Sequence, residues 1–529
     1  MTQSTAAVRT YADIRHALLA REELVLVDVR EEDPYAKSHP LFAVNIPLSK
    51  LELEVFARIP RRDTPVTLYD DGEGLVERAL PRLQALGYSD VRVLDGGLRG
   101  WREAGGELFI DVNVPSKSFG ELVEHHRHTP SLSAEEVRGL IESDADLVVL
   151  DARRFDEYQT MSIPTGISVP GAELVLRARE LAPAPTTRIV VNCAGRTRSI
   201  IGTQSLVNAG LPNPIAALRN GTIGWLLAGQ SLEHGQSRRF AEVSEDTRQI
   251  ASADARRVAD QAGVGRATLD DLPRWRAEPA RTTYLFDVRT PEQYQAGHLP
   301  GARPTPGGQL VQETDHYASV RGARVVLADD DGVRANMSAS WLAQMGWDVY
   351  VLDGLKADDF IEIGDWLSPA PASGDVEAVS AETLVHWLAE GDAQVLDFTT
   401  SAQYVKQHIP DAWWVLRADL ERALRAIPAA NRYVLTCGSG RLARFAVAEV
   451  AALTGKPVFV LEGGNTAWTK AGLPLEQGET HLASPRIDRY RRPYEGTDAP
   501  REAMQAYLDW EFGLVEQLAR DGTHHFRVI

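Results

Sequence analysis

Four times along the chain a short, nearly unbroken apolar run ends in an acid: LVLVDVR at Asp28, LVVLDAR at Asp151, TYLFDVR at Asp287 and AQVLDFT at Asp397. Runs of about four to five apolar residues are too short for independent helices and read as strands buried on both faces. A second such run follows in each case, VTLYD, IVVNC, VVLAD and YVLTC. The interval from the first acid to the end of that second run is 42, 42, 42 and 40 residues. Helical patterning comes next and stops at Gly87, Gly210, Gly346 and Gly455, glycine being favoured just past a helix C-terminus. A third apolar run then enters a Gly-bearing turn (VRVLDGG, IAALRNG, VYVLDGL, FVLEGG), followed by Trp101, Trp225, Trp366 and Trp468. Strand–helix–strand alternation at this length implies βαβ crossovers and, in each copy, a central parallel sheet with helices on both faces.

The repeat divides the chain into four α/β domains at 1–118, 119–240, 265–370 and 375–480, with 241–264 a helical connector and SPAPASGD (368–375) a short linker. The remainder, 481–529, is amphipathic and aromatic, with Tyr490, Tyr494, Tyr507, Trp510 and Phe512. Such a tail reads as a packing helix closing over a domain, with a partner-binding arm the alternative.

Composition narrows the function. A length of 529 residues sets a prior of three to four domains, and 44% hydrophobic with 25% charged residues is ordinary globular material. The net charge of −18 argues against a nucleic-acid binder or a ligand for anionic membranes. No apolar run approaches the ~18–20 residues of a membrane span, and the N-terminal stretch lacks the apolar core of a signal peptide, so a cytoplasmic location is expected. There are two cysteines, Cys193 and Cys437. Two distant thiols make neither a disulfide framework nor a cysteine zinc site. No His/Cys cluster has ligand spacing, and the Gly-rich turns lack the Lys-Ser/Thr of a phosphate loop, so no metal and no cofactor are expected. His125, His126 and His128 (EHHRH) read as a solvated linker.

Aligning the repeats gives both cysteines one position. The residues that open the loop after the second run are Asp70 (DDGEGL), Cys193 (CAGRTR), Asp329 (DDDGVR) and Cys437 (CGSGRL). A thiol at the end of a strand, before a tight loop that enters a helix, meets several backbone N–H groups and the positive end of a helix dipole. Its pKa is expected below the usual value of about 8.5, leaving a thiolate at neutral pH.

The unit Asp-Val-Arg…Glu-x-Tyr-x-x-Gly-His-Leu-Pro-Gly-Ala, best preserved from Asp287 to Ala302, resembles the opening motif of the rhodanese family. Val-Leu-x-Gly-Gly…Trp…Gly-Leu-Pro, from Val460 to Pro474, is similar to that family's C-terminal motif. The resemblance covers four copies across residues 20–480. It implies sulfurtransferase chemistry through a cysteine persulfide wherever the loop opens with Cys, and inert copies at Asp70 and Asp329. It also implies inert and active domains paired in chain order, with the active site facing the cleft between them.

Cys193 and Cys437 are therefore the candidate nucleophiles. Ala194, Gly195, Arg196, Thr197 and Arg198 are expected to bind substrate in domain 2, and Gly438, Ser439, Gly440 and Arg441 in domain 4. Arg196 and Arg198 are two fixed cations suited to an oxyanion such as thiosulfate, and CAGRTR is similar to the loops of thiosulfate-using members. The Cys-Gly-Ser-Gly start of domain 4 looks more like 3-mercaptopyruvate sulfurtransferases, although Leu442 stands where those carry a hydroxyl. Domain 4 also has Thr399 where the other copies have Arg30, Arg153 and Arg289, read as structural ion-pair partners. Donors in view are thiosulfate, 3-mercaptopyruvate and glutathione persulfide. Acceptors are a thiol, cyanide or a protein. Two alternatives differ in the loop chemistry they need. A phosphatase is disfavoured because the loops are one residue shorter than the Cys-x5-Arg loop that holds a tetrahedral phosphate. A persulfide carrier or scaffold acting with a protein partner would load poorly transferable sulfur, or none.

Overall fold

The computed structural model describes residues 7–496 and 498–529. Each of the four domains is a five-stranded, all-parallel sheet whose strands lie in the spatial order first, fifth, fourth, second, third. The three central strands are those the apolar runs predict. In domain 2 they are Leu147–Asp151, Arg188–Asn192 and Ile215–Leu218. The outer two strands are only two or three residues long, such as Ser131–Leu132 and Ile167–Ser168. The predicted helix stops hold: Gly87, Gly210, Gly346 and Gly455 all have positive φ. The tyrosine of each opening motif is buried, its hydroxyl donating to the carbonyl eight residues on: Tyr35 to Ala43, Tyr158 to Gly166, Tyr294 to Ala302 and Tyr404 to Ala412, at 2.5–3.0 Å. The Asp–Arg pairs are buried ion pairs, Asp28–Arg30, Asp151–Arg153 and Asp287–Arg289, at 2.6–2.7 Å. In domain 4 Asp397 instead accepts from the Thr399 amide and the Asn465 side chain, both at 2.8 Å.

The structure adds three points. The boundary at 118/119 falls inside a continuous helix, Val114–Arg127, and EHHRH ends that helix, with residues 125–128 exposed as a solvated linker requires. Trp101, Trp225 and Trp468 sit in equivalent short helices, but domain 3 has only one turn there, Ala357–Asp359, and Trp366 lies beyond it near Arg303. The domains also do not pair simply in chain order. Buried ion pairs join domain 1 to domain 4 (Glu52–Arg417, 2.5 Å) and domain 2 to domain 3 (Glu173–Arg334, 3.3 Å).

The connector is the helix Glu245–Ala262, whose alanine-rich face (Ala251, Ala255, Ala259, Ala262) is buried against domains 2 and 3. The tail forms two helices, Arg501–Phe512 and Leu514–Asp521, and laces all four domains. Asp488 accepts from the Ser401 amide, Tyr490 donates its amide to Glu32, Arg501 donates to the Leu226 and Leu227 carbonyls, and Ile529 donates its amide to Gln344. No helix among the described residues is long and apolar enough to cross a membrane.

Candidate active site

In every domain the fourth strand lies between the second and fifth, and its carboxyl end opens into the loop that starts the next helix. Open parallel sheets place ligands at that end. In domain 1 the amides of Leu75 and Val76 donate to Asp70 Oδ2 (2.7 and 3.2 Å) and Gly72 to Oδ1 (3.1 Å). In domain 3 the amide of Ala335 donates to Asp329 Oδ2 (2.8 Å) and Gly332 to Oδ1 (3.1 Å). In domain 4 the amides of Gly440, Leu442 and Ala443 face the Cys437 sulfur, and in domain 2 the amide and hydroxyl of Ser199 face Cys193. Counted from the loop start, the sixth amide recurs in all four copies and the fifth in domains 1 and 4. The slot is one acceptor site, filled by the chain's own carboxyl group in two copies and by a sulfur in the other two; in domain 3 burial and the neighbouring Asp331 push the Asp329 carboxyl well up.

Both thiols are buried, Cys193 at 1% and Cys437 at 5% exposure. Burial pushes both pKa values up. Arg198 and Ser199 pull against this at Cys193, as the three amides do at Cys437. The expected net lowering is therefore absent in this closed arrangement, because removing a thiolate from water outweighs the dipoles that favour it. The Cys193 thiol donates to Ser199 Oγ at 3.4 Å, and that hydroxyl donates to the Arg196 carbonyl at 2.8 Å. Sequence reasoning did not assign Ser199 a role. A hydroxyl at the sixth position after the cysteine was the available signal.

The two loop arginines do different things. Arg198 makes a bidentate pair with Glu157 (2.8 and 2.8 Å). Although burial pushes the Glu157 carboxyl up, Arg198 holds it down at about 2. Arg196 turns away, bidentate to Glu121 (2.7 and 2.8 Å), paired also with Glu124 and stacked on Phe512 at 4.2 Å. Its charge is already matched by the linker helix. Thr197 starts the helix Thr197–Asn208, with Gly120 of the linker helix so close that a Cβ there would stand 2.9 Å from Thr197 Cγ2. Ala194 accepts through its carbonyl from the Thr222 hydroxyl at 3.1 Å.

The tail completes the covering. A Cβ on Gly195 would lie 3.2 Å from Tyr507 Cε1 and 3.3 Å from Glu511 Oε2. The Tyr507 hydroxyl donates to Glu511 Oε1 at 2.9 Å, while Glu511 Oε2 is buried without a partner. Behind it Lys117, paired with Asp111 at 2.5 Å, lies against the rings of Tyr494, Tyr507 and Trp510. The packing-helix reading of the tail holds, but its contact with the Cys193 loop had no signal in the repeat.

In domain 4 the mouth is open. A Cβ on Gly438 would meet nothing within 4 Å, and Ser439 is exposed. Gly440 takes φ +79°, and Arg441 donates to the Ser368 carbonyl at 2.6 Å, holding the interdomain linker.

The model of the rhodanese-like domain family matches residues 12–104, 133–228, 268–354 and 380–471. The crystal structure of a thiosulfate sulfurtransferase from Pseudomonas aeruginosa is 72% identical, superposes with a TM-score of 0.98, and covers 99% of this chain and 100% of its own. Among curated relatives, an uncharacterized Synechocystis protein is 30% identical over 115 residues, 22% of this chain and 60% of its own length. SseB of Mycobacterium tuberculosis is 49% identical over 67 residues, 12% of this chain and 23% of its own length. The chain thus spans less than two thirds of these curated relatives. With four matched copies across most of its length, at the positions where the sheets and loops recur, the chain belongs to the rhodanese-like domain family.

Proposed function

We propose that the protein is a sulfurtransferase that moves sulfane sulfur from thiosulfate or a related anionic donor to a thiol or cyanide, through a persulfide on Cys193 and, in a second centre, on Cys437. The observation that carries this reading is the shared slot. Amides that hold a carboxyl group in domains 1 and 3 face a sulfur in domains 2 and 4, which is the environment a persulfide anion needs. The likeness to the P. aeruginosa thiosulfate sulfurtransferase supports it.

The reaction is a double displacement. The Cys193 thiolate attacks the outer sulfur of thiosulfate. A new S–S bond forms, the S–S bond of the donor breaks, and sulfite leaves with the electron pair. An acceptor thiolate or cyanide then attacks the outer persulfide sulfur and regenerates the Cys193 thiolate. Arg198, aimed by Glu157, neutralises the anionic donor beside the sulfur, and the loop amides spread the persulfide charge. Arg196 is a positioning residue that locks the loop to the linker helix. At the second centre Gly438, Ser439 and Gly440 form the loop around Cys437. Asp70 and Asp329 leave domains 1 and 3 without a nucleophile, since a carboxylate cannot take up sulfane sulfur.

Cys193→Ser is expected to remove most thiosulfate:cyanide turnover, with the remainder lost in Cys193→Ser/Cys437→Ser. Full activity in the first variant moves the main centre to Cys437, and turnover by the double variant sinks the mechanism.

A further inference from the structure

Beside Arg198 lies a polar cavity of about 250 Å³. Its walls come from separate stretches of the chain: domain 2, the end of domain 1 at Asn113, Glu313 of domain 3, and tail residues 489–496. Of the Cys193 loop only Arg198 reaches it. Two groups of the same design line it. Glu157 is shared by Arg198 (2.8 Å) and Arg154 (3.4 Å). Glu495 of the tail is shared by Arg492 (2.5 Å) and Arg489. Each guanidinium carries five N–H donors, more than its carboxylate partner occupies, and Arg492 Nε is buried with no partner. Asp156 and Glu313 also line the space.

The cavity is close to the lower end of small-molecule pockets, about 300 Å³, and is larger than a lone oxyanion needs. Its charges are mixed, five arginines (Arg153, Arg154, Arg198, Arg489 and Arg492) against four carboxylates, and each guanidinium is already paired with a carboxylate while keeping spare N–H donors. A small inorganic dianion is a poor match for such a wall. A molecule with both carboxylates and an ammonium group is a good one, its carboxylates taking the spare guanidinium donors and its ammonium facing Asp156 or Glu313.

We infer that this cavity is the subsite for the organic part of an amino-acid or peptide thiol that exchanges sulfur at Cys193, with Arg489 and Arg492 of the tail as its specificity-determining residues. The inference rests on the sulfurtransferase reading above and names the substrate class of that centre. It also gives the tail a role that an isolated repeat could not fill, since the cavity closes only when domain 2, domain 3 and the tail are assembled.

The test is calorimetric titration of the full-length protein with S-methylglutathione, a peptide thioether that carries two carboxylates and an ammonium and cannot accept sulfur. Saturable binding is expected, weakened about tenfold or more in Arg489→Gln/Arg492→Gln and for the dimethyl ester of the probe (each tenfold being about 1.4 kcal/mol). Glu495→Gln, which keeps both arginines and releases them from their partner, should bind several-fold tighter. Arg486→Gln, whose partner Glu479 lies outside the cavity, should bind as wild type. Absence of saturable binding, equal affinity for the ester, or wild-type affinity in both the double variant and Glu495→Gln overturns the subsite. Sulfur loading of Cys193 from thiosulfate is read separately by mass. Loading without binding removes only the subsite, whereas binding without loading removes the sulfurtransferase reading.

Discussion

Cys193 and Cys437 open the same loop of the same repeat, yet they meet different surroundings. Over Gly195 stand Tyr507 and Glu511 of the tail, with the linker helix clamped to Arg196 through Glu121. Over Gly438 there is open space, and Arg441 is turned to the Ser368 carbonyl. The repeat builds the slot, and the non-repeating segments decide how each slot is exposed and which charges flank it. Domain 2 thus holds a buried thiol beside a fixed cation and under the tail, and domain 4 a buried thiol without that cation, its loop facing open space at Gly438.

The largest effect should come from the cation. In a Cys437→Ser background, Arg198→Ala removes the charge beside the sulfur and leaves the half-buried Glu157 with only the more distant Arg154 (3.4 Å). The kcat/KM for thiosulfate should fall about a hundredfold. Arg441→Ala in a Cys193→Ser background should cost only a few-fold by the same sulfite-release assay. Equal losses would erase the distinction between the two loops.

Next comes the cover. Tyr507→Ala should speed alkylation of Cys193 by iodoacetamide about tenfold while leaving Cys437 unchanged, because local opening of the tail becomes easier. Peptide-resolved labelling measures both rates in one sample, and parallel acceleration at both cysteines would mean general loosening. Gly195→Ala and Gly438→Ala make a matched pair. The first pushes a methyl into Tyr507 and Glu511 and should raise Cys193 labelling by about two- to fivefold, and the second, facing open space, should change nothing. An effect at Gly438 alone would reverse the comparison.

The smallest effect is in pH. Burial and the neighbouring Glu121 push the Glu511 carboxyl up to about 8, against the pull of Lys117, Tyr507 and Arg196. A carboxyl whose pKa is higher when docked than its ordinary value of about 4.3 holds its proton more tightly in the docked state. Docking is therefore firmest below about 4.3 and weakens as pH rises through about 8. Cys193 labelling should climb with pH more steeply than thiolate formation alone requires, and Glu511→Gln should remove the excess. A profile unchanged by that substitution would detach Glu511 from the cover.

The sequence made some of this visible for a physical reason. The three central strands of each sheet are buried on both faces, so they write continuous apolar runs whose spacing repeats. The outer strands, two or three residues such as Val8–Arg9 or Trp413–Trp414, are too short to show any period and were missed. Both nucleophile candidates were legible because alignment put them in one slot. The partners of the loop arginines were not. Glu157 is 41 residues from Arg198, Glu121 is 75 from Arg196, and the tail's Tyr507 and Glu511 lie more than three hundred residues from Gly195. Contacts made once across the assembled domains leave no periodic trace. The low pKa expected for the thiols failed for a different reason: both sulfurs are buried, Cys437 among apolar side chains of its own domain, and that burial outweighs the loop amides.

The most direct measurement is peptide-level mass spectrometry after brief exposure of the wild-type protein to thiosulfate. The account predicts an added mass of about 32 Da, one sulfur atom, on the peptide bearing Cys193 and on that bearing Cys437, removed by cyanide. Peptides bearing Asp70 and Asp329 should be unchanged. A protein that turns over thiosulfate while neither cysteine gains that mass would contradict the persulfide mechanism.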